Sequence, residues 1–230
     1  MARRQFPTAA GFVPQTSSLA ELARAAKGCE GCDLYADATQ TVFGQGGAAA
    51  RVLLVGEQPG DVEDRRGEPF VGPAGKLLDR ALADAGVDRT SAYVTNAVKH
   101  FRWKATASGN RRIHAKPDAA HVSACRPWLT AELHAVDPEI IVALGATAAL
   151  SLLGPQFRVT QHRGMLLPWP PDAGPYADLF AEAADAAERR LVATIHPSAV
   201  LRATGSDRDT MYDGLVSDLR VVAGELARSS

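Results

Sequence analysis

Three short stretches bring together side chains that can move protons, attack carbon or bind phosphate. GEQPGD (56–61) carries Glu57, Gln58 and Asp61; NRRIH (110–114) carries Arg111, Arg112 and His114; HPSAVLR (196–202) carries His196, Ser198 and Arg202. A histidine beside a carboxylate is the usual equipment for general acid–base or nucleophilic chemistry. Planar guanidinium forks suit phosphates, or they pin a loop through carboxylates. NRRIH lies in a segment too rich in polar, Gly and Pro residues to be core, so its histidine is on the surface for a reason other than packing. The chain has three cysteines: Cys29 and Cys32 form a C-x-x-C, and Cys125 stands apart. That pattern is too sparse and too odd in number for a disulfide scaffold, and by itself it leaves a redox pair and part of a metal site both open.

The elements that must position these residues alternate. RVLLVG (51–56) and EIIVALG (139–145) are continuous apolar runs, as expected of strands buried on both faces, and SAYVTNAV (91–98) and RRLVATIHP (189–197) supply two more. Between them, LAELARAAK follows a Ser17-Ser18 cap, GPAGKLLDRALADAG (72–86) is an amphipathic helix closed by Gly86, and residues 117–136 are mostly helical, with Pro127 expected to start or break a helix. ATAALSLLG gives a short helix and the segment from Ser206 a long final one, while the Pro-rich then Ala-rich stretch 168–187 reads as an excursion before the last strand. Strands joined through helices predict one α/β domain, an α/β/α sandwich around a central, mostly parallel four-stranded sheet. We place the domain at 17–228, after a flexible N-terminal segment 1–16.

The 230 residues are 46% hydrophobic and 22% charged with a net charge of −1, enough apolar material for a core and too balanced for a surface coated in positive charge. Basic residues nonetheless cluster in KHFRWKATASGNRRIHAK, so an anionic partner would meet one local patch. No run of about 18 apolar residues is present, which predicts no membrane span, and the start lacks the apolar centre of a signal peptide. The expected location is the cytoplasm.

In an open parallel sheet, ligands bind beyond the carboxyl ends of the strands. Here those ends deliver Glu57, Gln58, Asp61, Asn96 and His196 to one rim. Glycines, Gly56 among them, let a ligand approach the backbone, and Phe70 offers an aromatic face beside a possible edge reader, Asn96. The set describes a pocket for a planar polar ring such as a nucleobase. GEQPG is neither G-x-G-x-x-G nor a P-loop, which argues against a dinucleotide or nucleotide triphosphate site.

GEQPG (56–60), PFVGPAGKLL (69–78), VTNAVK (94–99) and HPSAVLR (196–202) together resemble the motifs of the iron-sulfur uracil-DNA glycosylases, family 4 and its relatives, over nearly the whole chain from Cys29 onward. The resemblance implies a [4Fe-4S] cluster on four ligands. Three fall on Cys29, Cys32 and Cys125; the fourth place, after VTNAVK, holds His100 instead of cysteine, a ligand type known from Rieske centres. It further implies uracil held by Gly56, Gln58, Asp61, Phe70 and Asn96, with His196 and Glu57 catalytic and with Arg111, Arg112, Ser198 and Arg202 on DNA.

NRRIH resembles the KRRIH insert of the UdgX group, whose hallmark is a covalent bond between that histidine and DNA; this chain has Asn110 where the pattern has lysine. The implied partner is uracil-containing DNA, single-stranded by preference, with free uracil as product and the protein a monomer. An imidazole at His114 would outcompete water at the electron-poor C1′ of the sugar and leave the protein attached. Two rivals remain: a conventional multiple-turnover glycosylase with His114 a bystander, and, from a different class, a non-catalytic iron-sulfur protein that binds nucleic acid or a redox module built on the C-x-x-C.

Overall fold

The computed structural model describes residues 5–107, 111–172, 174–177, 179 and 189–228. In chain order the first half contains α1 (Leu19–Ala26), β1 (Val52–Gly56), α2 (Asp61–Arg66), α3 (Pro73–Ala85), β2 (Ala92–Asn96), β3 (Trp103–Ala105) and β4 (Arg112–His114). The second half contains α4 (Ala119–Val136), β5 (Ile140–Leu144), α5 (Ala146–Leu153), α6 (Val159–His162), β6 (Leu166–Trp169), β7 (Arg189–Thr194), α7 (Pro197–Arg202) and α8 (Gly205–Arg228).

The main sheet runs β2-β1-β5-β7-β6, its first four strands parallel and β6 antiparallel to β7. The α/β sandwich is as expected, with one strand more than the four anticipated. Pro168 hid β6: a proline cannot donate to a ladder and is tolerated where a strand has a free edge, and β6 pairs with β7 alone. The polar stretch before α4 also contains a two-stranded ribbon, β3 paired antiparallel with β4.

Alternate residues of β1 explain its unbroken apolar run. Val52 and Leu54 face a core shared with Leu78 and Leu82 of α3 and Leu215 and Leu219 of α8. Leu53 and Val55 face the opposite core, with Leu129 and Leu133 of α4 and Leu152 of α5. Helix α4 passes through Pro127 without breaking. The lost backbone bond is offset by packing, since Trp128, Leu129 and Leu133 are all buried, and by a start fixed by Asp118, which accepts from Ala120 N and His121 N.

The N-terminal segment departs from the flexible end expected of it. Phe6, Ala9 and Phe12 pack with Leu22 of α1, the three cysteines and Trp128 in a third apolar cluster. Residues from Phe6 onward thus belong to the domain.

Because Leu54 is fully buried in the strand at the heart of the sheet, Leu54→Ala is expected to cost about 2–5 kcal/mol. A guanidinium unfolding curve should show a lower midpoint at unchanged slope.

Candidate active site

The ends of β1 and β2 lie side by side, Gly56 opposite Asn96, and β7 delivers His196 to the same rim. Gly56 has no substitute here: a Cβ would stand 2.3 Å from Asn96 Oδ1 and 2.7 Å from Phe70 Cζ. Its bare Cα lets the amide and the ring converge. Phe70 is held at φ 57°, a conformation that side chains adopt at a cost, and its carbonyl sits over Gly75, where a Cβ would be 1.6 Å from the oxygen. Glu63 accepts from Gly72 N at 2.7 Å and fixes the far end of this loop. The Phe70 and His196 rings are near-parallel, 29° apart with centroids at 6.4 Å.

His196 has a determined tautomer. Its Nδ1 accepts from the Ser198 backbone N–H at 3.1 Å, and Ser198 Oγ lies 2.8 Å from the same nitrogen. Arg202 Nη1 donates to that hydroxyl at 3.1 Å, so the hydroxyl proton is directed to His196 and the imidazole's own proton sits on Nε2. Burial, with the Arg202 charge and His114 nearby, pulls the His196 pKa down to about 4. The ring is therefore a neutral Nε2–H donor at physiological pH.

His114 lies on β4, opposite Trp103, with Nε2 3.5 Å from Glu57 Oε1. The other Glu57 oxygen accepts a short hydrogen bond from Thr147 Oγ1, at the start of α5. Partial burial lowers the His114 pKa; Glu57 opposes the shift and Arg202 reinforces it. The β3–β4 ribbon is tied down along its whole length. Arg112 Nε donates to Asp61 at 2.6 Å, its Nη1 to the fully buried Asp64 at 2.6 Å and to Thr39 Oγ1 at 3.1 Å, and its guanidinium lies over Phe101 and Trp103. Trp103 Nε1 donates to Asp37 O at 2.9 Å.

Several expectations change at this point. Gln58 does not offer its amide to a ligand: Nε2 donates to Arg102 O and Ala115 O, and Oε1 accepts from Arg102 N, which clamps both feet of the ribbon. Asp61 is likewise spent on Arg65 and Arg112, which together hold its carboxyl below the usual range despite the opposing effect of burial. Arg112, with only 15% of its side chain exposed, pins the loop through Asp61 and Asp64. Ser198 is committed to His196 and Arg202. Arg111 is exposed, and Asn110 lies outside the described residues. Missing from the sequence reading were Thr147, Asp64 and Glu63; only Thr147 had a signal, its place just after the Gly that ends β5.

Cys29, Cys32 and Cys125 are all buried in the third apolar cluster. Trp128 Nε1 donates to Cys29 Sγ at 3.2 Å and Lys99 N to Cys125 Sγ at 3.3 Å, the kind of N–H donors that stabilise thiolate sulfur. Burial pushes the Cys32 thiol up to about 11 and Cys125 to about 12. Such thiols ionise in place only against a bound cation. His100 is also buried, its pKa lowered to about 4 by burial. Thr41 Oγ1 gives its proton to Ala26 O at 2.8 Å, so toward His100 Nε2, at 2.9 Å, it can only accept. The His100 proton is therefore on Nε2 and the Nδ1 lone pair is available to a metal. Among the described residues no three His, Cys, Asp or Glu side chains converge on a single-ion site. A [4Fe-4S] cluster would not require that convergence, because each of its ligands takes its own iron.

The fold is a two-sided α/β sandwich whose strand ends carry a buried amide, a tautomer-locked histidine and a glycine-backed aromatic. The profile of a family described as the uracil DNA glycosylase superfamily matches residues 43–220. The chain belongs to that superfamily. It is similar to the type-4 uracil-DNA glycosylase of Thermotoga maritima, 33% identical over 76% of this chain and 79% of the relative. It also matches the type-4 enzymes of Archaeoglobus fulgidus, 40% identical over 57% of this chain and 62% of the relative, and of Pyrobaculum aerophilum, 33% identical over 76% and 81%.

Removing the Arg112 fork would leave Asp64 buried without its cation. Arg112→Gln is expected to destabilise the protein by about 3 kcal/mol, whereas the exposed Arg111→Gln changes stability little. Paired denaturant titrations of the two variants check this.

Proposed function

We propose that this protein excises uracil from DNA and is then joined covalently, through His114, to the sugar it has exposed. The observation that carries the reading is the placement of His114 Nε2 3.5 Å from Glu57 Oε1 on an anchored ribbon, at the rim shared by Asn96 and His196. Membership of the superfamily supports the excision half.

In the reaction, the base is turned out of the strand, laid on Phe70 and read along its edge by Asn96. The C1′–N1 bond breaks with its electron pair passing to uracil, whose developing charge meets the Nε2–H of neutral His196. Arg202 adds positive charge nearby. The His114 lone pair then forms a C1′–N bond, the ring's remaining N–H proton passes to Glu57, and the uracil anion takes up a proton from solvent water and leaves as free uracil. Thr147 holds the Glu57 carboxylate where that transfer needs it. Single-stranded DNA is the favoured substrate because no pairing has to be broken. Arg111 meets flanking phosphate, and the protein acts as a monomer.

Cys29, Cys32, Cys125 and His100 would hold the iron-sulfur cluster, [4Fe-4S] in this reading. When bound it cross-links the N-terminal segment, the end of β2 and α4 and supplies no electron to the reaction. Protein purified without oxygen should be brown and contain iron and acid-labile sulfide. Cys125→Ser should lower the iron content and the thermal midpoint together; colourless, iron-free wild type of full stability would exclude the cluster.

The test of the whole reading is to incubate protein with a uracil-containing single-stranded oligonucleotide, denature, and run an SDS gel beside His114→Ala and a uracil-free strand. A shifted band is expected for wild type with uracil alone. Free abasic DNA accumulating over many turnovers would make this a conventional glycosylase, and no uracil release would leave only a binding module. Capture should also persist to acidic pH. With the His114 pKa below its ordinary value, the reactive neutral ring survives as pH falls, so half-maximal capture should come below about pH 6.5; a midpoint at or above that value would contradict it.

A further inference from the structure

Lys99 is wholly buried and plays no part in the chemistry above, yet it touches both halves of the site. Its Nζ donates to Asn96 O at 2.7 Å and Thr95 Oγ1 at 2.6 Å, and pairs with Glu132 Oε2 at 2.5 Å. Its backbone N–H points at Cys125 Sγ, and its carbonyl accepts from Val42 N at 2.8 Å. Glu132, from the C-terminal half of α4, is fully buried as well. It accepts from Tyr93 Oη at 3.0 Å, Thr95 Oγ1 at 2.8 Å and Gly44 N at 3.1 Å. Burying an ion pair is costly even when its hydrogen bonds are complete, and an apolar pair of similar volume usually serves stability as well. Stability alone therefore gives no reason for an amine behind Asn96.

We propose that Lys99 is a positioning residue for base recognition, fixing the peptide of Asn96 so that its side-chain amide meets the uracil edge at one orientation. This rests on the reading in which Asn96 reads uracil. Asn96 is the last residue of β2, and its partner across the ladder is Gly56, which has no side chain to support it. On the side facing β1, Ala97 N and Val98 N bond to Gly56 O and Glu57 O and hold the chain just past Asn96. The Asn96 carbonyl is held separately, by the charge-assisted bond from Lys99. Glu132 holds the ammonium from α4. Lys99 is thus the connection through which the α4 side of the fold, where Cys125 lies, reaches the base-reading residue.

The test neutralises both partners, Lys99→Met with Glu132→Gln, so that no lone charge is left buried and the acceptor for Tyr93 and Gly44 is kept. Free uracil is the probe, titrated calorimetrically into this variant, Asn96→Ala, the triple variant and wild type, with thermal melts alongside. The neutral pair should bind uracil about tenfold or more weakly, and in the Asn96→Ala background it should cause no further loss, because the two act as a unit. An equal loss in both backgrounds, or unchanged affinity with a lowered melting point, would make Lys99 merely structural and overturn the proposal. If Asn96→Ala itself binds uracil like wild type, the failure lies in the reading of Asn96. Wild-type protein gives a second measurement that needs no variant: added uracil should shift the 15N resonance of the Lys99 ammonium, and an unmoved signal would count equally against the proposal.

Discussion

The site depends on one ionic anchor, Arg112 between Asp61 and Asp64. A two-stranded ribbon of three-residue strands has no stability of its own in water, and β3–β4 buries almost nothing against the main cores. Its position is a property of what grips it. Arg112 supplies the grip from within β4, two residues before His114, so both side chains project from the same face of the strand. The carboxylates it binds stand on α2, the helix that follows the Glu57 loop. One guanidinium therefore helps set the distance between His114 and Glu57. Gln58, next to Glu57, adds an equally direct tie by donating to the carbonyl of Ala115, next to His114, and Trp103 and Arg102 add further fixings.

This explains which parts of the site could be read from the sequence. Strand ends are legible: a continuous apolar run closing in Gly, Asn or His announces both the strand and the rim, and Glu57, Asn96 and His196 meet where such runs end. Ribbon anchoring is not legible in that way. Gln58, Asp61 and Arg112 have the same residue types whether they bind a ligand or brace a loop, and only the partners reveal which. As residue types Gln58 and Asp61 suit a base; in the structure their side chains bond to the ribbon. Lys99 and Glu132 lie 33 positions apart, and nothing local in either segment signals that they pair. Strand β6 escaped because its proline is an ordinary loop residue until the strand is known to lie at an edge.

The fold divides its labour between two kinds of rigidity. The sheet rim is fixed by backbone ladders and by close packing, as at Gly56 and Gly75, where no Cβ would fit. The ribbon is fixed by side-chain bonds, the Arg112 ion pairs and the Gln58 amide foremost. A superfamily scaffold can acquire or lose the second without disturbing the first, because the ladders of β1, β2, β5 and β7 do not pass through residues 103–114. In the proposed reaction this maps onto chemistry: leaving-group stabilisation belongs to the sheet, and the nucleophile belongs to the attachment.

The charges around the two histidines are matched to that division. Arg202 bonds to Ser198, which bonds to His196, and its charge disfavours protonation of both His196 and His114. In the proposed reaction a protonated His114 could not attack, and a protonated His196 would place a full charge at a buried position before any anion was there to meet it. Keeping both rings neutral while a guanidinium stands close by would there supply positive potential for a departing uracil anion without spending the lone pair of His114. Glu57 partly offsets Arg202 at His114 alone, being within 3.5 Å of that ring. The two imidazoles, identical as residues, are thus separated by their neighbours, and in the proposed reaction this makes His196 a fixed donor and His114 a group able both to attack and to lose a proton.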